Sequence, residues 1–125
     1  MLINKIIKLL KAGSIPSVVL FGDTDIMPEP PYVVVKPETG AIEGTRQFRI
    51  IVHHRQGMFD ELEKYVFKEL TSLLINDENK KICIIDKNGL YQLHCGGWTD
   101  MNTDISDKTI FMERLFYQPF RSGDS

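Results

Sequence analysis

The stretch PEPPYVVVKPETG, Pro28–Gly40, followed after AIEG by TRQFRIIVHH, Thr45–His54, decides the fold. Pro31 and Pro37 fence the run Tyr32–Lys36. Proline has no N–H to give to a ladder, so this run predicts a short strand near a sheet edge. Such an edge must be covered or paired. In the second segment Phe48, Ile50 and Val52 alternate with Gln47, Arg49, Ile51 and His53, the period of a strand with one buried face. After Gly57 the period becomes helical. Phe59, Leu62, Val66, Leu70, Leu73 and Leu74 line one face with Tyr65 and Phe67 at its flanks, while Asp60, Glu61 and Glu63 suit the positive end of a helix from about Met58 to Leu74.

Working outward, Leu2, Ile3, Ile6, Ile7 and Leu10 form the apolar stripe of an N-terminal helix. Lys8 and Lys11 lie near its negative end, and Gly13 and Pro16 stop it. Ser17–Phe21 reads as a short strand. Ile82–Ile85 and Leu90–Cys95 make a hairpin around DKNG, and Thr109–Gln118 makes a long last strand that ends at Pro119. Helix, three strands, helix and three strands predict an α+β fold: a mixed or antiparallel sheet packed by a central helix, with a short N-terminal helix. No repeat, low-complexity tract or long linker divides the chain, so residues 1–125 are expected to form a single domain.

Composition narrows the function classes. With 42% apolar residues, 125 residues bury a core without metal or disulfide staples. Fifteen basic against seventeen acidic residues give a formal net charge of -2, and the only regularly spaced bases are Lys5, Lys8 and Lys11. That balance argues against a broad phosphate-binding surface. The N-terminal apolar stretch is interrupted by Asn4, Lys5 and Lys8, which argues against a signal peptide or a membrane span.

Several short patterns invite catalytic or metal readings. FGDTD after a strand places Asp23 and Asp25 where many α/β enzymes hold a metal, but a connection with room for a loop only favours aspartates solvated at a turn. In DMNTDISD, Asp100, Asn102 and Asp104 alternate as in a calcium loop, yet the sixth position is Ile105 and the twelfth Phe111, where glycine and glutamate belong. His53 and His54, adjacent on a strand, face opposite ways and do not chelate one ion together; they read as ordinary surface or half-buried residues. An Asn88–Gly89 turn of type I′ would set Cys83 opposite His94 and turn Cys95 to the other face, against a Cys83–Cys95 disulfide. Cys83 with His94 reads as a nucleophile with its base, as half a metal site, or as a small apolar residue beside an imidazole, and the last is favoured because no further ligand lies at metal-site spacing. The expected catalytic, cofactor and metal residues are therefore none.

Apolar residues gather instead in two connections. Ile26, Met27, Pro30 and Pro31 lie in one. Trp98, Met101 and Ile105 lie in the other, after a Gly96–Gly97 pair that predicts a bend or bulge. Methionine, tryptophan and proline in loops point to protein contacts, although a core-capping aromatic also accounts for Trp98.

The whole succession resembles the tail-terminator or tail-completion proteins of long-tailed bacteriophages. It runs from the N-terminal helix through PYVVVKPE, RQFRIIVHH and MFDELEKYVFKELTSLL to YQLHCGGWTD and TIFMERLFYQPF. The likeness covers nearly the whole chain and carries no catalytic motif. It implies a protomer of a ring, a hexamer, that caps the tail tube, stops further tail-protein addition and offers a surface to the head-completion or connector protein. It further implies assembly in the host cytoplasm, residence in the virion neck, and DNA passing through the channel without sequence-specific binding. The alternatives are another head–tail neck protein, a small cytosolic metal-dependent enzyme built on Asp23, Asp25, His53 and His94, or a monomeric binding module or secretion-machine adaptor that uses the same loops for one partner.

Overall fold

The computed structural model describes residues 2–23, 25–38, 46–70, 82–84 and 92–118, with backbone alone for residues 2–5, 38, 46, 82–84, 92–95 and 118. In chain order the elements are α1 (Leu2–Lys11), β1 (Ser17–Leu20), β2 (Tyr32–Glu38), β3 (Arg46–Arg55), α2 (Phe59–Glu63) running into a π-helical segment (Lys64–Leu70), β4 (Ile82–Ile84), β5 (Gln92–Cys95), β6 (Asn102–Asp104) and β7 (Thr109–Gln118). Among the described residues the strands form one sheet in the order β1-β2-β3-β7-β5-β4, with β6 also on β7. The β1–β2 pair is parallel and the others are antiparallel, so the fold is α+β with a mixed sheet.

The period-two pattern of β3 buries one face as its sequence requires. Phe48, Ile50 and Val52 join Val33 and Val35 of β2 and Ile110, Met112 and Phe116 of β7 in a single core. Leu62, Val66 and Leu70 cover that core from the second helix, and Ile6 and Leu10 from α1. α1 stops where Ala12 and Gly13 turn back to the carbonyls of Leu9 and Leu10 at 3.2 and 3.0 Å. Gly57, at φ +89°, makes the turn from β3 into α2, a conformation that favours glycine.

Four expectations are refined or corrected. The Tyr32–Lys36 run lies near a sheet edge as expected, but one strand in: β2 lies between β1 and β3, and β1 is the edge among the described residues. Pro37 is tolerated because Val35 turns its carbonyl toward β1, where it accepts the Phe21 N–H at 2.9 Å. Two residues on, Pro37 faces the same side beyond the end of β1, so its missing N–H interrupts no ladder.

The second correction concerns the long helix. It starts as α-helix but widens to π from Lys64, and Phe59 and Phe67 are 52% and 53% exposed. Phe59 therefore stands outside the apolar face expected to carry it. The buried residues recur every four positions, Leu62, Val66 and Leu70; Leu73 and Leu74 lie outside the described residues.

Thirdly, of the mixed and antiparallel alternatives the sheet takes the mixed one: β1 and β2 are parallel, and the connection between Phe21 and Tyr32 makes the crossover without a helix among the described residues. Finally, β4 and β5 pair Ile84 with Gln92, Cys83 with Leu93 and Ile82 with His94. Cys83 is thus not opposite His94. The expected Asn88–Gly89 turn lies outside the described residues.

Candidate functional site

The apolar residues of the two connections divide between the core and one end of the sheet. β5 and β6 both run along β7, but residues 96–101 stand opposite residues 112–115, two more on one strand than on the other. The excess forms the bulge expected at Gly96–Gly97, held by Gly96 N–H to Leu115 O at 3.2 Å and Thr99 N–H to Glu113 O at 2.9 Å. A Cβ on either glycine would meet nothing within 4 Å, so the bulge does not depend on their small size for clearance. It sets Trp98 and Met101, both half-buried, against the core. The Arg114 guanidinium lies 5.7 Å from the Trp98 ring centroid.

Ile105 goes elsewhere. It is 85% exposed on the turn between β6 and β7, a turn closed by Asp107 N–H donating to Asp104 Oδ1 at 3.1 Å. Asp104 thereby caps a hairpin, and the strand β6 lies within the calcium-like DMNTDISD stretch. Asn102 Nδ2 of the same stretch donates to the Asp100 carbonyl at 3.1 Å.

The β1–β2 crossover returns past the same end of the sheet. Ile26 is 82% exposed; Met27, Pro30 and Pro31 are half-buried; Asp23 and Asp25 are exposed. Between this loop and the β6–β7 turn lies an open cleft of about 310 Å³. Ile26, Met27, Pro28 and Pro30 supply its apolar wall, Tyr32 and Thr109 line its inner side, and Asp25 and Asp107 add carboxylates. Two segments distant in sequence therefore share one recess because β2, β3 and β7 are neighbours in the sheet.

Behind the cleft the register Tyr32–His53–Phe111 puts three rings in a row across three strands. Tyr32 and His53 stack at 4.7 Å between centroids, and His53 and Phe111 at 5.3 Å. His53 Nδ1 shares a 2.9 Å hydrogen bond with Thr109 Oγ1. Burial lowers the His53 pKa, opposed by the nearby charges of Asp104 and Asp107, so the burial effect wins and the imidazole favours its neutral form. Tyr32, 1% exposed, is pushed up to about 12, first by burial and then by Asp107, while the Thr109 hydroxyl works the other way. Thr109 falls short of hydrogen-bond geometry to it, and among the described residues the Tyr32 hydroxyl has no hydrogen-bond partner.

His54 faces the opposite side of the strand, as alternation requires. Both histidines are buried rather than at the surface. Arg55 N–H donates to His54 Nδ1 at 2.7 Å, and His54 Nε2 lies 3.1 Å from Glu61 Oε1 without meeting hydrogen-bond geometry. Tyr65 Oη donates to the same carboxylate oxygen at 3.3 Å. The close approach of His54 is the main reason the Glu61 carboxyl sits below its ordinary pKa. This trio brings β3 and α2 together and reads as a structural tie.

Among the described residues no group of three or more His, Cys, Asp or Glu side chains is placed to hold a metal ion. No helix among them is long and apolar enough to cross a membrane. No protein-family model matches this chain, and no curated protein sequence matches it. What the sequence reading missed is the contribution of Tyr32, Thr109, Asp25 and Asp107 to a common recess. Only Asp25 carried a sequence signal, and the rest depends on strand register.

Proposed function

We propose that the protein is a phage virion structural protein, a tail terminator whose subunits form a ring, a hexamer by resemblance, that caps the tail tube and presents the head-attachment surface. In this reading it is not an enzyme, needs no cofactor, and works in the virion neck after assembly in the host cytoplasm. Its partners are further copies of itself, the tail tube protein and the head-completion or connector protein. DNA passes through the ring without sequence-specific binding.

The observation that carries this reading is the pair of exposed isoleucines, Ile26 and Ile105, on two loops that border one recess at one end of an open sheet. A ring requires heterologous contacts, in which one surface of a subunit meets a different surface of the next. An apolar loop cluster supplies one such surface, and β1, the edge strand among the described residues, supplies another. The order of elements adds its resemblance to tail-completion proteins. The test is electron microscopy of tails grown with and without the protein. Overlong or uncapped tails that fail to join heads are expected in its absence; tails of correct length that join heads would overturn the proposal.

A further inference from the structure

The β6–β7 hairpin is tied to the centre of the sheet at its closing pair. Asp104 stands opposite Thr109 in the ladder, and Thr109 Oγ1 shares a 2.9 Å hydrogen bond with His53 Nδ1 of β3. β6 itself is a weak element: it is three residues long, and Asn102 and Thr103 are exposed. Lys108, immediately before Thr109, sits at φ +54°, a left-handed conformation uncommon for lysine. His53 is 8% exposed and lies between the Tyr32 and Phe111 rings. The side chain that anchors the hairpin is therefore a buried titratable one.

An imidazolium in that position has two N–H donors and no acceptor, and burial strips most of its hydration. The groups that face the ring are Tyr32 from β2, Thr109 and Phe111 from β7, Asp104 from β6 and Asp107 from the turn. Arg55, two residues along β3, is exposed and paired with Glu29. The two aspartates favour the cation, but burial acts against it and prevails. We propose that His53 is a pH-sensitive catch: when it takes up a proton, the β6–β7 hairpin lifts and opens the recess while the rest of the sheet stays folded. The hairpin gives way first because Thr109 already lines the open recess, whereas hydrating the ring from either side would break the long β2–β3 or β3–β7 ladder. Lifting moves Ile105, on the turn, away from Ile26 across the recess, so the surface they border persists only while His53 is neutral. That consequence for assembly rests on the reading above; the opening itself does not.

The test is amide hydrogen exchange on the full-length protein, read residue by residue in NMR from about pH 7.5 to about pH 5 and expressed as protection factors. Opening takes up one proton, so protection in β6 is expected to fall by up to about tenfold per pH unit below 6.5, levelling off below the folded pKa of His53. The amides of Ile50, Ile51 and Val52 in β3 should keep theirs. His53→Gln, which keeps a polar side chain beside Thr109 and takes up no proton, should abolish the pH dependence. If that variant does not fold, Asp107→Asn serves, since the position is exposed. Removing a carboxylate that favours the imidazolium should deepen the acid loss and carry it to lower pH. The proposal is overturned by β6 protection that ignores pH, by β3 amides that lose protection together with β6, or by an Asp107→Asn response no deeper than the parent's. An equal acid response in His53→Gln would assign the effect to the carboxylates and overturn it as well. No tails are present in this measurement, so hairpin opening in a protein that caps no tails would sink the terminator reading alone. Normal capping by a protein whose β6 protection ignores pH would sink this inference alone.

Discussion

The guanidinium of Arg114 lies 5.7 Å from the ring centroid of Trp98, on the side of the sheet that packs against the helices. An arginine buried among apolar side chains needs compensation, and an aromatic face supplies part of it. Trp98 therefore has work to do inside the subunit, whatever it contributes outside.

Trp98→Ala is accordingly expected to lower stability by about 1–3 kcal/mol, less than a fully buried tryptophan because the ring is half-exposed. Urea unfolding measures this directly. A midpoint equal to that of the unsubstituted protein would mean that the ring rests on the surface and does not cover Arg114.

Leu70 tests the helical cover. It closes the Leu62–Val66–Leu70 stripe against Phe48, Ile50 and Val52 and is 2% exposed. Leu70→Ala should cost about 2–5 kcal/mol, from lost transfer energy and the cavity left behind. An unchanged midpoint would remove the helix-on-sheet packing.

The ring row behind the cleft predicts how stability changes with pH at both ends of the range. His53 has a folded pKa below its ordinary 6.5, so on acidification the unfolded chain takes up the proton first. Its contribution is complete above pH 6.5 and is lost as pH falls through the folded value. Tyr32 behaves in the mirror sense: with its pKa raised from 10.0 to about 12, its contribution is complete below pH 10 and is lost as pH rises toward 12. Thermal unfolding across pH should thus fall less steeply in acid for His53→Gln, and less steeply in alkali for Tyr32→Phe, than for the unsubstituted protein. Parallel curves for variant and parent would show that neither ring titrates differently on folding.

How much of this was legible in the sequence depends on the kind of interaction that fixed each part. β7 could be read to its ends because Thr109–Gln118 combines β-branched and aromatic residues with a proline stop, all local signals. The buried face of β3 was legible for the same reason. β6 was not, since Asn102 and Asp104 disfavour strand, Thr103 alone favours it, and the three become a strand only by pairing with β7. The parallel β1–β2 pair and the shifted β4–β5 register are likewise tertiary outcomes. Ile26 and Ile105 were visible as exposed apolar residues, but their meeting place depends on the neighbours chosen by β2, β3 and β7. The recess could not be assembled from spacing along the chain.

The last prediction separates folding from assembly. Ile26 and Ile105 are largely exposed and neither belongs to the core, so Ile26→Asp and Ile105→Asp should leave the unfolding midpoint within about 0.5 kcal/mol of the parent. On the assembly reading they sit where neighbouring subunits or tail and head proteins dock, and a charge placed in such an apolar contact carries a desolvation cost that the partner does not repay. Met27→Asp is a weaker test because Met27 is half-buried and part of its effect would fall on the loop itself. Tails assembled with the doubly substituted protein should therefore remain uncapped and fail to join heads in electron micrographs, while the purified variant unfolds like the parent. Tails of normal length joined to heads would show that this end of the sheet does not mediate assembly.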